Sequence, residues 1–60
     1  MKIVMTNTAD HTSKVVKFGE LIKRLQEVNN NKVNNWWINI KLLNGETISV
    51  NGNEFKREVN

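Results

Sequence analysis

The chain has 60 residues, and nine basic against six acidic side chains give a formal net charge of +3 at pH 7. A domain of this size buries only about 60% of its unfolded surface, so we expect one domain of marginal stability. Cysteine is absent, which excludes disulfides, thiolate metal sites and cysteine nucleophiles. The apolar run at residues 3–5 is too short for a signal peptide or a membrane span, so we expect a cytoplasmic protein that does not bind membranes.

A strand is predicted close to the N-terminus. Residues 2–6 alternate so that Ile3 and Met5 share one face, which is the pattern of a half-buried strand. Residues 7–13 are polar except for a single alanine and therefore predict an exposed loop.

Residues 14–18 fit two structures. Val15 and Val16 favour a strand. The alternative is a helix, because the helical spacing of the apolar residues that follow extends back to Val15 and a serine or threonine of the loop could be its N-cap. Because Gly19 inside a helix would cost about 1 kcal/mol, we favour a short second strand that ends near Lys17.

An amphipathic helix is predicted to begin at about Phe18 or Gly19 and to continue over residues 20–28. Charged residues face away from its apolar side, and Glu20 and Arg24 form an i,i+4 pair of opposite charge. The asparagine-rich residues 29–35 predict a connector that ends the helix, since asparagine competes for backbone hydrogen bonds. The apolar stripe consists of Phe18, Leu21, Ile22, Leu25 and Val28.

A β-hairpin is predicted over residues 36–50. Two alternating runs are joined by Asn44-Gly45, a strong short-range hairpin signal. A three-residue loop of Leu43, Asn44 and Gly45 places the apolar residues of both strands on one face, whereas a two-residue turn divides them between faces. We predict the three-residue loop, because each buried branched aliphatic residue contributes roughly 1.5 to 3 kcal/mol. Residues 41–48 are also locally similar to the first hairpin of ubiquitin, with no shared function implied.

This register separates the two tryptophans. Neighbouring strand residues point to opposite faces, so only one indole can enter the core. We predict that Trp36 is buried, and that Trp37 projects from the opposite face beside Asn39 and Lys41.

The C-terminal residues contain a second turn signal and one more element. Asn51-Gly52 predicts another tight turn. Residues 54–59 fit either a strand or, through Phe55 and Val59 at i,i+4, a helical turn, and we favour the strand.

Together these elements predict a single α+β domain over residues 1–60. The expected architecture is a small antiparallel sheet of four to five strands with one amphipathic helix packed on one face, in the order ββαββ or ββαβββ. The order of the strands within the sheet is left open.

The sequence offers little for catalysis. His11 lies beside Asp10, Thr12 and Ser13, but consecutive loop residues do not converge on one point, and a nucleophile needs a base that a third group orients. One histidine and one aspartate fall two ligands short of a tetrahedral metal site. The three glycines are isolated, so no phosphate-binding loop is present. We expect a protein that is not an enzyme and that needs no metal or cofactor.

A binding surface is predicted on the sheet around Trp37. Exposed tryptophan supplies a large contact area with few rotatable bonds. If residues 54–59 form a neighbouring strand, two basic residues join this face. The predicted partner surface consists of Trp37, Asn39, Lys41, Lys56 and Arg57. The alternative is that Trp37 only covers cross-strand neighbours and that the charges form an ordinary solvated surface.

Two classes of function follow. Eleven of the 60 residues are asparagine, proline is absent, and this bias is typical of A/T-rich coding sequence. Small size, no catalytic set and this composition resemble, in type, the small inhibitors encoded by phages and mobile elements, including anti-CRISPR and anti-restriction proteins. The resemblance implies a modulator that docks on a larger host or bacterial protein through a sheet face or edge around Trp37. The alternative is a small basic nucleic-acid-binding protein that uses Trp37, Lys41, Lys56 and Arg57. A homodimer is a third possibility.

Overall fold

The computed structural model of the chain describes residues 1–30 and 32–59. Four strands form one open antiparallel sheet in the spatial order β2-β1-β4-β3, and two helices lie between β2 and β3 in the chain. The predicted α+β class is confirmed, whereas the predicted single helix is wrong. The elements are β1 (Ile3–Asn7), β2 (Ser13–Val16), α1 (Phe18–Val28), α2 (Asn35–Leu43), β3 (Ile48–Val50) and β4 (Asn53–Arg57).

The N-terminal hairpin agrees with the sequence. β1 and β2 pair antiparallel with Ile3 opposite Val16, so residues 14–18 begin as a strand, as predicted. The Asn7 side-chain carbonyl accepts hydrogen bonds from the backbone N–H groups of Ala9 and Asp10 at 2.8 and 3.2 Å, which is the way asparagine favours turns. The loop between the strands is exposed, as predicted.

The C-terminal hairpin is built on Asn51-Gly52. Both residues have positive φ, 45° and 79°, which is what a two-residue type I′ turn requires. Val50 and Asn53 pair directly beside the turn. The preference for a strand in the C-terminal segment is confirmed for β4, which pairs with β1 on one side and β3 on the other.

The two hairpins are joined at one end of the sheet. Both the backbone N–H and the hydroxyl of Thr8 donate to the Gly52 carbonyl, at 2.9 and 3.0 Å. Because Thr8 follows β1 and Gly52 precedes β4, these bonds extend the central β1–β4 pairing into the loops.

Helix α1 also agrees with the sequence. It begins at Phe18 and ends at Val28. Its apolar stripe buries Leu21, Ile22 and Leu25, whereas Val28, at the end of the predicted stripe, is exposed. The predicted pair of Glu20 and Arg24 is present at 3.6 Å, as the one side-chain ion pair in the described part of the chain. Asn31, within the predicted connector, lies outside the described residues.

The predicted hairpin over residues 36–50 is wrong, because its first strand is helix α2. Asn34 caps the helix: its side-chain carbonyl accepts a hydrogen bond from the Trp37 N–H at 3.1 Å. Gly45, with a φ of 82°, lies just past the other end. The Gly45 N–H donates to Leu42 and the Glu46 N–H to Lys41, at 3.0 and 3.1 Å, and these two bonds define a Schellman motif. Asn44-Gly45 therefore ends a helix instead of joining two strands.

Both helices cover the same face of the sheet and share one core with it. Met5 lies opposite Phe55, and Phe55 opposite Ile48, so these side chains point to one face. That face packs against the buried side of α1 and against Leu42 of α2. The core consists of Ile3, Met5, Leu21, Ile22, Leu25, Leu42, Val50 and Phe55.

Candidate functional site

The most unusual surface of the protein is the side of α2 that faces away from the core. Trp36 is 68% exposed, Trp37 53% and Leu43 45%. With 100° between successive helical residues, these three and the half-buried Ile40 fall within an arc of about 120°. We call this surface, formed by Trp36, Trp37, Ile40 and Leu43, the α2 outer face.

The opposite side of α2 anchors it to the domain. Leu42 is fully buried, and Ile38, one turn earlier, packs against the same core. These two residues lie at i and i+4 and so share a side of the helix. The helix is therefore held by one apolar side while a second apolar side stays in solvent, an arrangement that the fold itself does not need.

The predicted burial of Trp36 is wrong, and the reason is the change of secondary structure. On a strand, neighbouring side chains point in opposite directions, whereas on a helix they differ by about 100° and can share a surface. Trp36 and Trp37 consequently lie side by side in solvent. The predicted exposure of Trp37 agrees with the structure, although on a helix and not on a sheet.

Lys41 lies at one border of the α2 outer face. It is four residues after Trp37, and its Nζ atom is 5.7 Å from the centroid of the Trp37 ring. At this distance the ammonium interacts with the ring electrons, a contact worth about 0.5 to 1 kcal/mol at exposed sites. The contact places a positive charge next to an exposed aromatic surface.

The other predicted site residues do not join this surface. Asn39 is half-buried and, two residues from Trp37, lies on a different side of the helix. Lys56 follows the buried Phe55 in β4 and therefore points to the face of the sheet that no helix covers. Arg57 is half-buried on the helix-covered side. Trp37 and Lys41 are thus brought together, while Asn39, Lys56 and Arg57 are separated from them.

Sequence reasoning missed Trp36, Ile40 and Leu43 as surface residues. Their spacing at i, i+4 and i+7 is the signal that could have found them, since these positions share one side of a helix. Asn34, three residues before Trp37, was a matching N-cap signal.

The loop that contains the lone histidine shows no catalytic arrangement. The Thr12 backbone N–H and hydroxyl both donate to the Asp10 carboxylate, at 3.0 and 2.7 Å. These bonds from Thr12 lower the pKa of Asp10 below its ordinary value of 3.8. Because both bonds from Thr12 end on its carboxylate, Asp10 stabilises the closed shape of the loop. His11 lies in the same exposed loop and has a φ of 62°.

The uncovered face of the sheet is a weaker candidate for a binding site. An open groove of about 440 Å³ lies on the uncovered face of the sheet, where Val4 and Thr6 meet Thr47 and Val59. Its wall carries charges of both signs, Glu54 and Glu58 with Lys56. Within residues 1–30 and 32–59, no group of three histidine, aspartate or glutamate side chains could hold a metal ion. The α2 outer face therefore remains the strongest candidate.

No model of a known protein family matches the chain, and neither a curated protein nor a solved structure shows significant similarity to it. The geometry alone therefore carries the functional argument. Of the helices in the described part of the chain, neither has the length and apolar content that crossing a lipid bilayer requires.

Proposed function

We propose that this chain is a small non-catalytic binding protein that docks on another protein through the α2 outer face and modulates its activity. The observation that carries the proposal is the exposure of Trp36 and Trp37, at 68% and 53%, on one side of one helix. Tryptophan is among the residues most enriched at the energetic centres of protein interfaces. Exposed apolar patches in small soluble domains commonly mark interaction sites.

The surface is suited to docking because the fold does not depend on it. Leu42 and Ile38 already fasten α2 to the core, so the indoles are free to bury area against a partner. Removing apolar surface from water contributes about 25 cal/mol per Å². The indoles are also carried on a capped helix, which limits the entropy lost when a partner binds.

The spacing of the side chains favours a helix-in-groove mode of docking. Trp36, Ile40 and Leu43 occupy positions i, i+4 and i+7, which are the anchors by which a helix lies in an apolar groove. This replaces the sheet face that the sequence predicted. The proposed contact residues are Trp36, Trp37, Ile40, Lys41 and Leu43.

Composition supports a narrower version of the proposal. The asparagine-rich, proline-free composition and the length of 60 residues resemble, in type, those of small modulators and inhibitors from phages and mobile elements. We propose such a role, with a larger host or bacterial protein as the target.

The test is a pull-down in which the immobilised protein captures binding partners from a lysate of the cells that produce it. The Trp36→Ala/Trp37→Ala double variant is matched with Val15→Ala, which removes an exposed apolar side chain from β2 on the uncovered sheet face. We expect one protein to be retained by the parent and by Val15→Ala and to be lost with the double variant. Retention of the same proteins by all three chains would contradict the proposal.

Binding to nucleic acid is the second candidate, and the contact of Lys41 with Trp37 favours it. Aromatic rings stack on bases, and nearby ammonium groups contact phosphates. Its support is weaker because Lys56 and Arg57 lie elsewhere. Phosphate-dependent binding should weaken steeply between about 50 and 200 mM salt, whereas an interface centred on tryptophan should change little. A failure to shift any oligonucleotide at low salt would exclude this candidate.

A further inference from the structure

Resting on the proposed function, we infer that the partner is a protein with an apolar cleft and that a carboxylate on the rim of that cleft faces Lys41. Two properties of α2 support this: its only charged side chain is the basic Lys41, and its outer face can bury only a limited area by itself.

The only charged side chain within α2 is that of Lys41. Along the chain the nearest acidic residue is Glu46, which follows the end of the helix. Within the described residues no carboxylate lies within 4.0 Å of Lys41, since the one ion pair there joins Glu20 and Arg24. A partner whose rim carries aspartate or glutamate therefore complements this surface, whereas a basic rim is repelled.

The position of Lys41 makes that charge part of the surface. Its ammonium lies over the Trp37 ring at 5.7 Å from the centroid, so a partner that covers Trp37 must also approach Lys41. Covering the ring reduces the access of water to the ammonium, which strengthens its attraction to a nearby carboxylate. An ammonium covered without an anionic partner would instead oppose binding.

The size of α2 argues for a cleft and against a second copy of this chain. Nine residues, from Asn35 to Leu43, make a helix of about 13 Å. Two such convex helices touch along a narrow line, whereas stable interfaces bury about 800 Å² on each partner. A cleft that encloses the helix contacts both flanks of the same four side chains, and so buries more area. The α2 helix of a second copy would also bring no acidic side chain of its own to Lys41, since residues 35–43 contain none.

The experiment begins by identifying what covers the face. A photo-crosslinking amino acid replaces Leu43, at the edge of the α2 outer face, in the cells that produce the protein, and the cross-linked molecule is identified by mass spectrometry. The expected product is another protein joined at an apolar cleft. Cross-linking only to a second copy of this chain, to lipid or to nucleic acid would overturn the inference.

The identified protein is then purified and titrated with matched variants. Lys41→Glu is compared with Lys23→Glu, which makes the same charge change at an exposed position of α1. We expect Lys41→Glu to weaken binding by about tenfold or more and Lys23→Glu to change it by less than about twofold. Replacing the facing carboxylate of the partner with lysine should restore binding to Lys41→Glu.

Two results distinguish the acidic rim of the partner from docking through the α2 outer face. If Lys41→Glu binds as well as the parent while Trp36→Ala loses binding, the acidic rim is wrong and docking through the α2 outer face stands. If Trp36→Ala also binds as well as the parent, both are wrong. Circular dichroism of each variant verifies that the fold is retained.

Discussion

The side-chain carbonyl of Asn34 accepts a hydrogen bond from the backbone N–H of Trp37 at 3.1 Å, and this bond fixes the start of the helix that displays both indoles. An isolated helix of nine residues is marginal in water. The presentation of Trp36 and Trp37 therefore depends on this cap, on the glycine-based end of the helix and on the burial of Leu42.

Removal of the cap should destabilise the domain. We expect Asn34→Ala to lower the free energy of unfolding by about 1 kcal/mol, because the Trp37 N–H loses its acceptor. Asn34→Asp should retain most of the stability. Asn35→Ala is the matched control and should be neutral or slightly stabilising, since Asn35 is the first residue of α2 and alanine is a good helix former. Urea unfolding followed by circular dichroism measures all three, and equal losses for Asn34→Ala and Asn35→Ala would contradict the capping role.

Two glycine substitutions should have opposite signs. Gly45 has a φ of 82°, so Gly45→Ala should cost about 1 to 2 kcal/mol. Gly19 lies in the first turn of α1, and a Cβ atom there would meet nothing within 4 Å. Gly19→Ala should therefore stabilise the protein by about 0.5 to 1 kcal/mol. Thermal unfolding of the two variants gives the comparison, and a destabilised Gly19→Ala variant would show that the start of α1 is not as described.

Loss of either indole should leave the fold intact. We expect Trp36→Ala and Trp37→Ala each to change the free energy of unfolding by less than about 1 kcal/mol, because both side chains are mostly in solvent. Leu42→Ala, on the buried side of the same helix, should cost about 2 to 5 kcal/mol. Iodide should quench the fluorescence of both tryptophans in the isolated monomer. If Trp36 is shielded from iodide and Trp36→Ala loses much of its stability, Trp36 is buried. That result would favour the hairpin predicted from the sequence over helix α2.

The pH dependence of the first loop has a defined sign. Bonds from Thr12 hold the pKa of Asp10 below its ordinary value of 3.8. A depressed pKa in the folded state stabilises the fold at pH values above the unfolded pKa, and this contribution is lost as the pH falls through the folded-state value. We expect Thr12→Val, which removes one donor, to raise the pKa of Asp10 toward 3.8. Carboxyl chemical shifts followed by NMR test this, and an unchanged titration would show that the Thr12 hydroxyl does not bond to Asp10 in solution.

Much of the sheet was predictable because its signals are local. The alternation in β1, the amphipathic pattern of α1 and the Asn51-Gly52 turn each match one structure. Turn residues with positive φ and apolar residues on one face identify such elements without knowledge of the rest of the chain.

Helix α2 was not predictable in this way because its apolar residues fit two periods. Ile38, Ile40 and Leu42 alternate as in a strand, yet Ile38 and Leu42 also lie one helical turn apart. Asn44-Gly45 is equally ambiguous, because a left-handed glycine serves both hairpin turns and helix ends. The choice depends on tertiary pairing: β4 lies between β1 and β3, and Ile48 therefore pairs with Phe55 and not with a strand before it.

The candidate site was predictable only in part, for the same reason. The neighbourhood of Trp37 and Lys41 was predicted on a strand, and it is present on a helix because i and i+4 also meet there. Lys56 and Arg57 were expected beside Trp37 because Trp37 was predicted on a neighbouring strand of the sheet. Trp37 lies on α2 and both basic residues lie on β4, so this part of the predicted site is wrong.

The pairing of β1 with β4 affects when the domain can fold during synthesis on the ribosome. Ile3 lies opposite Arg57, so the central pair of the sheet forms only after residues 53–57 have left the exit tunnel. Until then the nascent hairpin of β1 and β2 has no central partner, and two strands alone are at best marginally stable in water. Messages truncated before β4 should accordingly give products that proteases remove quickly, so the cell accumulates the completed sheet and not its fragments.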